Sequence, residues 1–190
     1  MSPVQLFDPR DQNLKIAFVD VRQIRWILLT SHVAGNIEAL SIISVPALSK
    51  SQQQDSVPAG MLARQWKYIY DDGKLQNPSL AVIAGTSFAY LAWSVRRGTA
   101  LSLLVPKNSA QIYTVAALLT YGMIPFTALF MLSTNNVLMA KADQAVRAKI
   151  SVATDDKEVI ELLKKWSFLS AARGLLPLLG GVVSMAAILA

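Results

Sequence analysis

The chain has 190 residues, a formal charge of +6, 53% hydrophobic residues and only 16% charged ones. A soluble domain of this length carries about a quarter charged residues, so the composition points to a membrane class. With no cysteine and one histidine, disulfides, thiolate nucleophiles and Cys-rich or His-rich metal centres are excluded, and because the basic residues flank apolar runs without interleaved aromatics, lipid headgroups are favoured over nucleic acid.

The first 22 residues are polar and mixed in charge, unlike a cleavable signal peptide. The first apolar run, 24–48, contains the stretch TSHVAGNIEALSIISVPAL with His32, Asn36 and Glu38 inside it. Residues 49–56, SKSQQQDS, read as a loop. Residues 60–71, GMLARQWKYIYD, put Leu62, Trp66 and Ile69 near one face and predict an interfacial helix with Arg64 and Lys67 snorkelling. A turn at Asp71-Asp72-Gly73 is expected to close it. The second apolar run, 80–95, reaches spanning length only with Pro78 and Ser79. The third, 110–132, is interrupted by Pro125, and 136–150 reads as its polar helical continuation. Asp155 and Glu158 form a capping-box pattern before an amphipathic helix over 156–167. The last run, 169–190, contains Pro177 and the pair Gly180-Gly181.

A bilayer core of about 30 Å needs roughly 20 helical residues. The expected fold is therefore all-α: an integral membrane four-helix bundle with short interfacial or extramembrane helices. It forms a single transmembrane domain with spans at about 24–48, 78–95, 110–132 and 169–190. Any one run also suits a buried helix of a soluble protein; four together favour the membrane. Basic residues are spread over both sides, so charge leaves the orientation open.

Polar groups at membrane depth mark candidate sites. His32 and Asn36 are four apart and share a helix face, with Gly35 and Glu38 on an adjacent stripe. Thr134, Asn135 and Asn136 lie at the end of the third apolar run. Trp166 and Arg173 are seven apart and share a face across two turns. For each group two readings stand side by side. His32 and Asn36 are either interhelical contacts or part of a site. Glu38 is a neutral or ion-paired structural acid, or a functional one. The asparagines are local helix-end contacts or donors, and Arg173 snorkels or binds. No nucleotide loop or nucleophile elbow is present.

Three segments together resemble the small four-helix membrane family that contains the anthrone oxygenases of polyketide pathways. They are QWKYIYDDGKLQNPSL (65–80), IPFTALFMLSTNNVLMA (124–140) and LLKKWSFLSAARGLLPLLGG (162–181), with VPAL at 45–48. The likeness covers most of the chain from about residue 24 onward. Ser170 and Glu38 depart from the family pattern, which has Asn and a small apolar residue there. The resemblance implies a cofactor-free monooxygenase, with O2 as co-substrate, acting on an aromatic polyketide small molecule. It implies His32 as base with Asn36 and Arg173 as catalytic partners. Trp66, Tyr70, Asn135, Asn136, Trp166 and Glu38 are then substrate-binding candidates. Membrane lipid is an expected partner, a homo-oligomer is compatible, nucleic acid is not expected, and no metal is expected. The expected location is an intracellular membrane such as the endoplasmic reticulum. Spans one and four are expected to be neighbours, with His32, Asn36 and Arg173 facing one pocket. The competing class is a non-catalytic membrane scaffold or small carrier subunit, which explains the same polar residues as packing contacts.

Overall fold

The computed structural model describes residues 32, 35–103, 105–147 and 156–189. Among them are four main helices and no strand. Helix α1 covers 35–55, α2 Ala59–Ser94, α3 Ser109–Arg147 and α4 Asp156–Leu189. A short 3-10 turn, Ala100–Leu103, lies between α2 and α3. The all-α expectation therefore holds. The start of the first expected span, 24–31, and the Asp155 cap lie outside the described residues.

Three expected boundaries are replaced by continuous helix. The turn at Asp71-Asp72-Gly73 does not form: α2 runs through it and through Pro78. Asp71 and Lys74 pair at 2.7 Å, one turn apart, on the surface of that unbroken helix. The segment 60–71 is not an interfacial helix either, because Leu62 and Trp66 are fully buried in the bundle. The expected loop 49–56 is helical to Asp55, with the Ser49 and Ser51 hydroxyls bonded to carbonyls one turn back. At the end of the chain, 156–167 and 169–190 form one helix through Pro177. The polar continuation of the third run is helical as expected, as far as Arg147.

Two helices contain a widened π turn beside a proline. In α1 it covers Leu40–Ser44, just before Pro46. In α3 it covers Thr127–Met131, just after Pro125. Proline removes an N–H and crowds the carbonyl four residues back; in α1, where the widened turn precedes Pro46, shifting to i→i+5 bonding accommodates that disturbance without ending the helix.

The bundle has two larger apolar cores and a smaller cluster of Ile37, Ala81 and Met123. One gathers Leu62 and Trp66 of α2, Leu138 and Ala142 of α3, and Val159, Leu163 and Trp166 of α4. The other gathers Phe88 and Leu91 of α2, Tyr113 and Ala116 of α3, and Ala187 of α4. This pairing of early with late residues makes α2 and α3, and α3 and α4, antiparallel. Lys67 of α2 reaches Asp143 of α3 at 2.6 Å, and Lys141 of α3 pairs with Glu158 of α4, both near the first core. Helix α1 lies on α4, where the Ser167 hydroxyl donates to the Ser41 carbonyl. Helices α3 and α4 are each long and apolar enough to cross a bilayer.

Small residues set the helix separations. A Cβ at Gly180 would sit 2.9 Å from the Ala116 carbonyl oxygen and 2.7 Å from Thr120 Oγ1. A backbone carbonyl cannot rotate away, so α3 and α4 would have to part. Gly180→Ala is expected to destabilise the fold by about 1–3 kcal/mol. Gly35→Ala meets nothing within 4 Å in a helix and is expected to be neutral or to stabilise by about 0.5–1 kcal/mol. Thermal unfolding of the two variants in detergent, followed by circular dichroism, checks the contrast; equal melting temperatures would remove the close-packing account.

Candidate active site

Between the two cores lies a cleft open on one side, with about 60 Å³ of free space. Its walls come from α1 (Leu40), α2 (Ile69, Tyr70, Gly73, Lys74, Asn77, Pro78), the α3 π turn (Thr127) and α4 (Trp166, Arg173). Both π turns therefore border it, since Leu40 and Thr127 are their first residues.

The Arg173 guanidinium is the cleft's main charge. Nη1 donates to Thr127 Oγ1 at 3.5 Å and Nη2 to Ser170 Oγ at 3.3 Å. Nε is buried and finds no hydrogen-bond partner among the described residues. Two long bonds and one free donor leave a five-donor fork well short of saturation. Such a group is set to receive an anionic or carbonyl oxygen.

Asn77 is the second polar element. It is buried, and its Oδ1 accepts a 2.7 Å hydrogen bond from Asn36 Nδ2. With its carbonyl occupied, the Asn77 amide presents its NH2 group as the available donor. Gly73 makes room for it: a Cβ there would lie 3.3 Å from Asn77 Nδ2 and 3.8 Å from Leu40 Cδ1. The aromatic wall is layered. Tyr70 stacks on Trp66 with ring centroids 5.1 Å apart, and Trp66 meets Trp166 edge-on at 5.8 Å. Trp66 thus backs the wall without lining the cleft.

The residues singled out from sequence divide accordingly. Arg173, Trp166 and Tyr70 line the cleft, and Asn36 reaches it through Asn77. His32 is helical and exposed and is not among the described residues that line the cleft. On α1 the face that meets the cleft carries Asn36 and Leu40, one turn further on. Asn135 is buried, with Oδ1 unpartnered, but lies away from the cleft, and Asn136 is exposed. Glu38 faces α4, where its Oε1 is buried without a partner and a Cβ at Gly174 would come within 2.5 Å of it. Asn77, Thr127 and Lys74 were not foreseen. Asn77 had a signal: a lone amide before Pro78 at the head of an apolar run. Thr127 had none, because its position depends on the π turn. Among the described residues no three His, Asp or Glu side chains gather as a metal site.

Comparison with known proteins bears on this arrangement. The family described as Anthrone oxygenase matches residues 66–183, which include every cleft-lining residue except Leu40 of α1. The chain is 34% identical over 166 residues to the anthrone oxygenase encC of Aspergillus fumigatus, covering 83% of this chain and 86% of that protein. It is 31% identical over 173 residues to the anthrone oxygenase tpcL of the same species, covering 91% and 96%. It is 30% identical over 159 residues to the noranthrone monooxygenase of Aspergillus flavus, covering 84% and 69%. No solved structure matches the chain. With most of both chains aligned in each case, and all of the cleft but Leu40 inside the matched segment, the protein belongs to the anthrone oxygenase family and is an oxidoreductase of the monooxygenase type.

Proposed function

We propose that the protein oxidises the central methylene of an anthrone-type aromatic polyketide to a ketone with O2, without metal or flavin. The observation that carries this reading is the under-satisfied Arg173 guanidinium facing an aromatic-walled cleft. The relatives' names, anthrone oxygenase and noranthrone monooxygenase, supply the substrate class.

An anthrone methylene lies between two aryl rings and is acidified through the ring by the ketone opposite. Loss of one proton gives an electron-rich aromatic enolate. That anion gives one electron to O2, and recombination of the two radicals forms a C–O bond and a peroxide. The peroxide oxygen takes up a proton; loss of the remaining C–H proton and cleavage of the O–O bond then give the ketone and water. One oxygen atom ends in the quinone and the other in water, so O2 supplies the whole four-electron oxidation.

The protein's task is to stabilise the enolate. The Arg173 fork and the Asn77 NH2 group offer donors to the enolate oxygen, and surrounding apolar side chains raise the worth of each bond. Trp166 and Tyr70 flank the flat rings. The reacting ring enters the cleft, and the remainder of the tricycle lies across the open mouth beside Lys74. The proton leaves to water at that mouth. His32, exposed outside the cleft, has no part in the proton step.

The same reading sets the bundle in an intracellular membrane such as the endoplasmic reticulum, with α3 and α4 crossing it. Its support is an apolar exterior: Leu129 and Phe168 are 76% and 74% exposed, and Leu118 and Val182 are also open. Apolar surface on this scale is expensive in water. A flat aromatic substrate partitions into the bilayer and reaches the cleft from there.

Three variants test the assignment in membranes, with quinone absorbance corrected for spontaneous oxidation. Arg173→Ala is expected to lower kcat/KM by about 10²–10³, the usual effect of removing one such donor, and Arg173→Lys to recover only part, since it keeps charge but not the fork. Asn77→Ala is expected to lose less, and His32→Ala to stay near the parent rate. Loss of activity in His32→Ala with Arg173→Ala unaffected would reverse the assignment. Turnover by purified protein is also expected to persist after chelation and without bound flavin; activity abolished by chelator and restored by a metal ion would overturn the cofactor-free mechanism.

A further inference from the structure

A second cavity lies at the far end of the bundle, where α2 gives way to α3. It is an open groove of about 450 Å³ lined by Val95, Arg97, Gly98, Ser102, Pro106, Lys107, Ala110 and Gln111. That is within the usual range of small-ligand sites, about 300–1,000 Å³. The chain is shaped to form it. Thr99 Oγ1 bonds the Ser94 and Arg96 carbonyls and closes the end of α2. Gly98 sits at φ 89°, in the left-handed region that favours glycine, and turns the chain out of the helix.

Among the described residues, no carboxylate pairs with the charges of this end. Arg97 and Lys107 line the cavity. No Asp or Glu occurs anywhere in residues 73–142, nor in α4 after Glu161. The neighbouring surface is amphipathic: the Arg96 guanidinium lies 4.5 Å above the Trp93 ring, and Trp93 and Tyr90 are both exposed, 6.2 Å apart. Exposed aromatic rings capped by cations are typical of the bilayer–water boundary. Polar Gln111 and Ser102 add hydrogen-bonding groups between the two cations.

We propose that this cavity binds the phosphate headgroup of an anionic phospholipid. The phosphate supplies the negative counter-charge for Arg97 and Lys107, and the Tyr90–Trp93 surface lies along the acyl–headgroup boundary. The site is separate from the Arg173 cleft. It rests on the reading that α3 and α4 cross a bilayer.

The test uses the full chain, delipidated in detergent and reconstituted into nanodiscs of phosphatidylcholine with or without phosphatidylinositol, with retained lipid identified by native mass spectrometry. The parent protein is expected to retain phosphatidylinositol over phosphatidylcholine. In the double variant Arg97→Gln, Lys107→Gln the preference is expected to fall on the order of tenfold, the scale set by two cations near a headgroup. Thermal unfolding should be unchanged, since both side chains are exposed. Lys164→Gln, Lys165→Gln, at the opposite end of α4, should keep the preference. An equal preference in the Arg97/Lys107 variant and the parent, or equal loss in the Lys164/Lys165 control, overturns the site. Displacement of the lipid by excess inorganic phosphate would make it a free-anion site and also overturn the proposal. Failure to enter nanodiscs would defeat the membrane reading itself, whereas insertion without lipid preference defeats only the headgroup site.

Discussion

A guanidinium in the middle of an apolar helix constrains everything around it. Arg173 lies between the two larger hydrophobic cores, and a charged group buried among apolar side chains is tolerated only with polar company. The bundle supplies that company sparingly: one threonine hydroxyl, one serine hydroxyl and, among the described residues, nothing for Nε. Full satisfaction would make Arg173 a structural clasp. Partial satisfaction keeps its donors available, and the cost of that shortfall is borne by close packing elsewhere.

That packing depends on residues chosen for what they lack. Gly180 brings α4 against the Ala116 carbonyl, Gly174 admits the Glu38 carboxyl, and Gly85 takes the Tyr121 ring against α2. Where helices approach this closely, shape complementarity holds them without a strong water-driven force. The prolines act at the same level. Pro46 and Pro125 each accompany a π turn, and the two turns present Leu40 and Thr127 to the cleft. A regular helix through either proline would rotate the residues beyond it by a large fraction of a turn, and the cleft would lose its polar face.

The arrangement also fits an oxidation driven by the stability of an anion. The Asn36–Asn77 bond crosses from α1 to α2 and fixes which way the Asn77 amide points. The tryptophans keep the wall rigid through edge and face contacts. Fixed donors in an apolar setting need no reorganisation when charge develops. Ion pairs with external roles, Lys67–Asp143 and Lys141–Glu158, are kept to the opposite side of the first core, away from the basic α2–α3 end.

Sequence by itself determined the class of structure. Low charge and long apolar runs dictated helices, the seven-residue spacing of Trp166 and Arg173 put both on one face, and the three quoted segments carried the family. Helix existence was legible because periodicity and composition are local properties. Helix ends were less so: Gly73 and Pro78 are local breakers, yet packing against neighbouring helices holds both in continuous helix, and the SKSQQQDS stretch stays helical as far as Asp55. The site was half legible. Arg173, Trp166 and Tyr70 could be found because polar or aromatic residues in apolar runs stand out singly. His32 stood out for the same reason and yet is exposed, since face sharing on one helix does not say which neighbour that face meets. Only the tertiary structure decided that Asn77 and Thr127 meet Arg173, because that meeting depends on two π turns and on glycine-set helix separations, which no periodicity in the chain encodes.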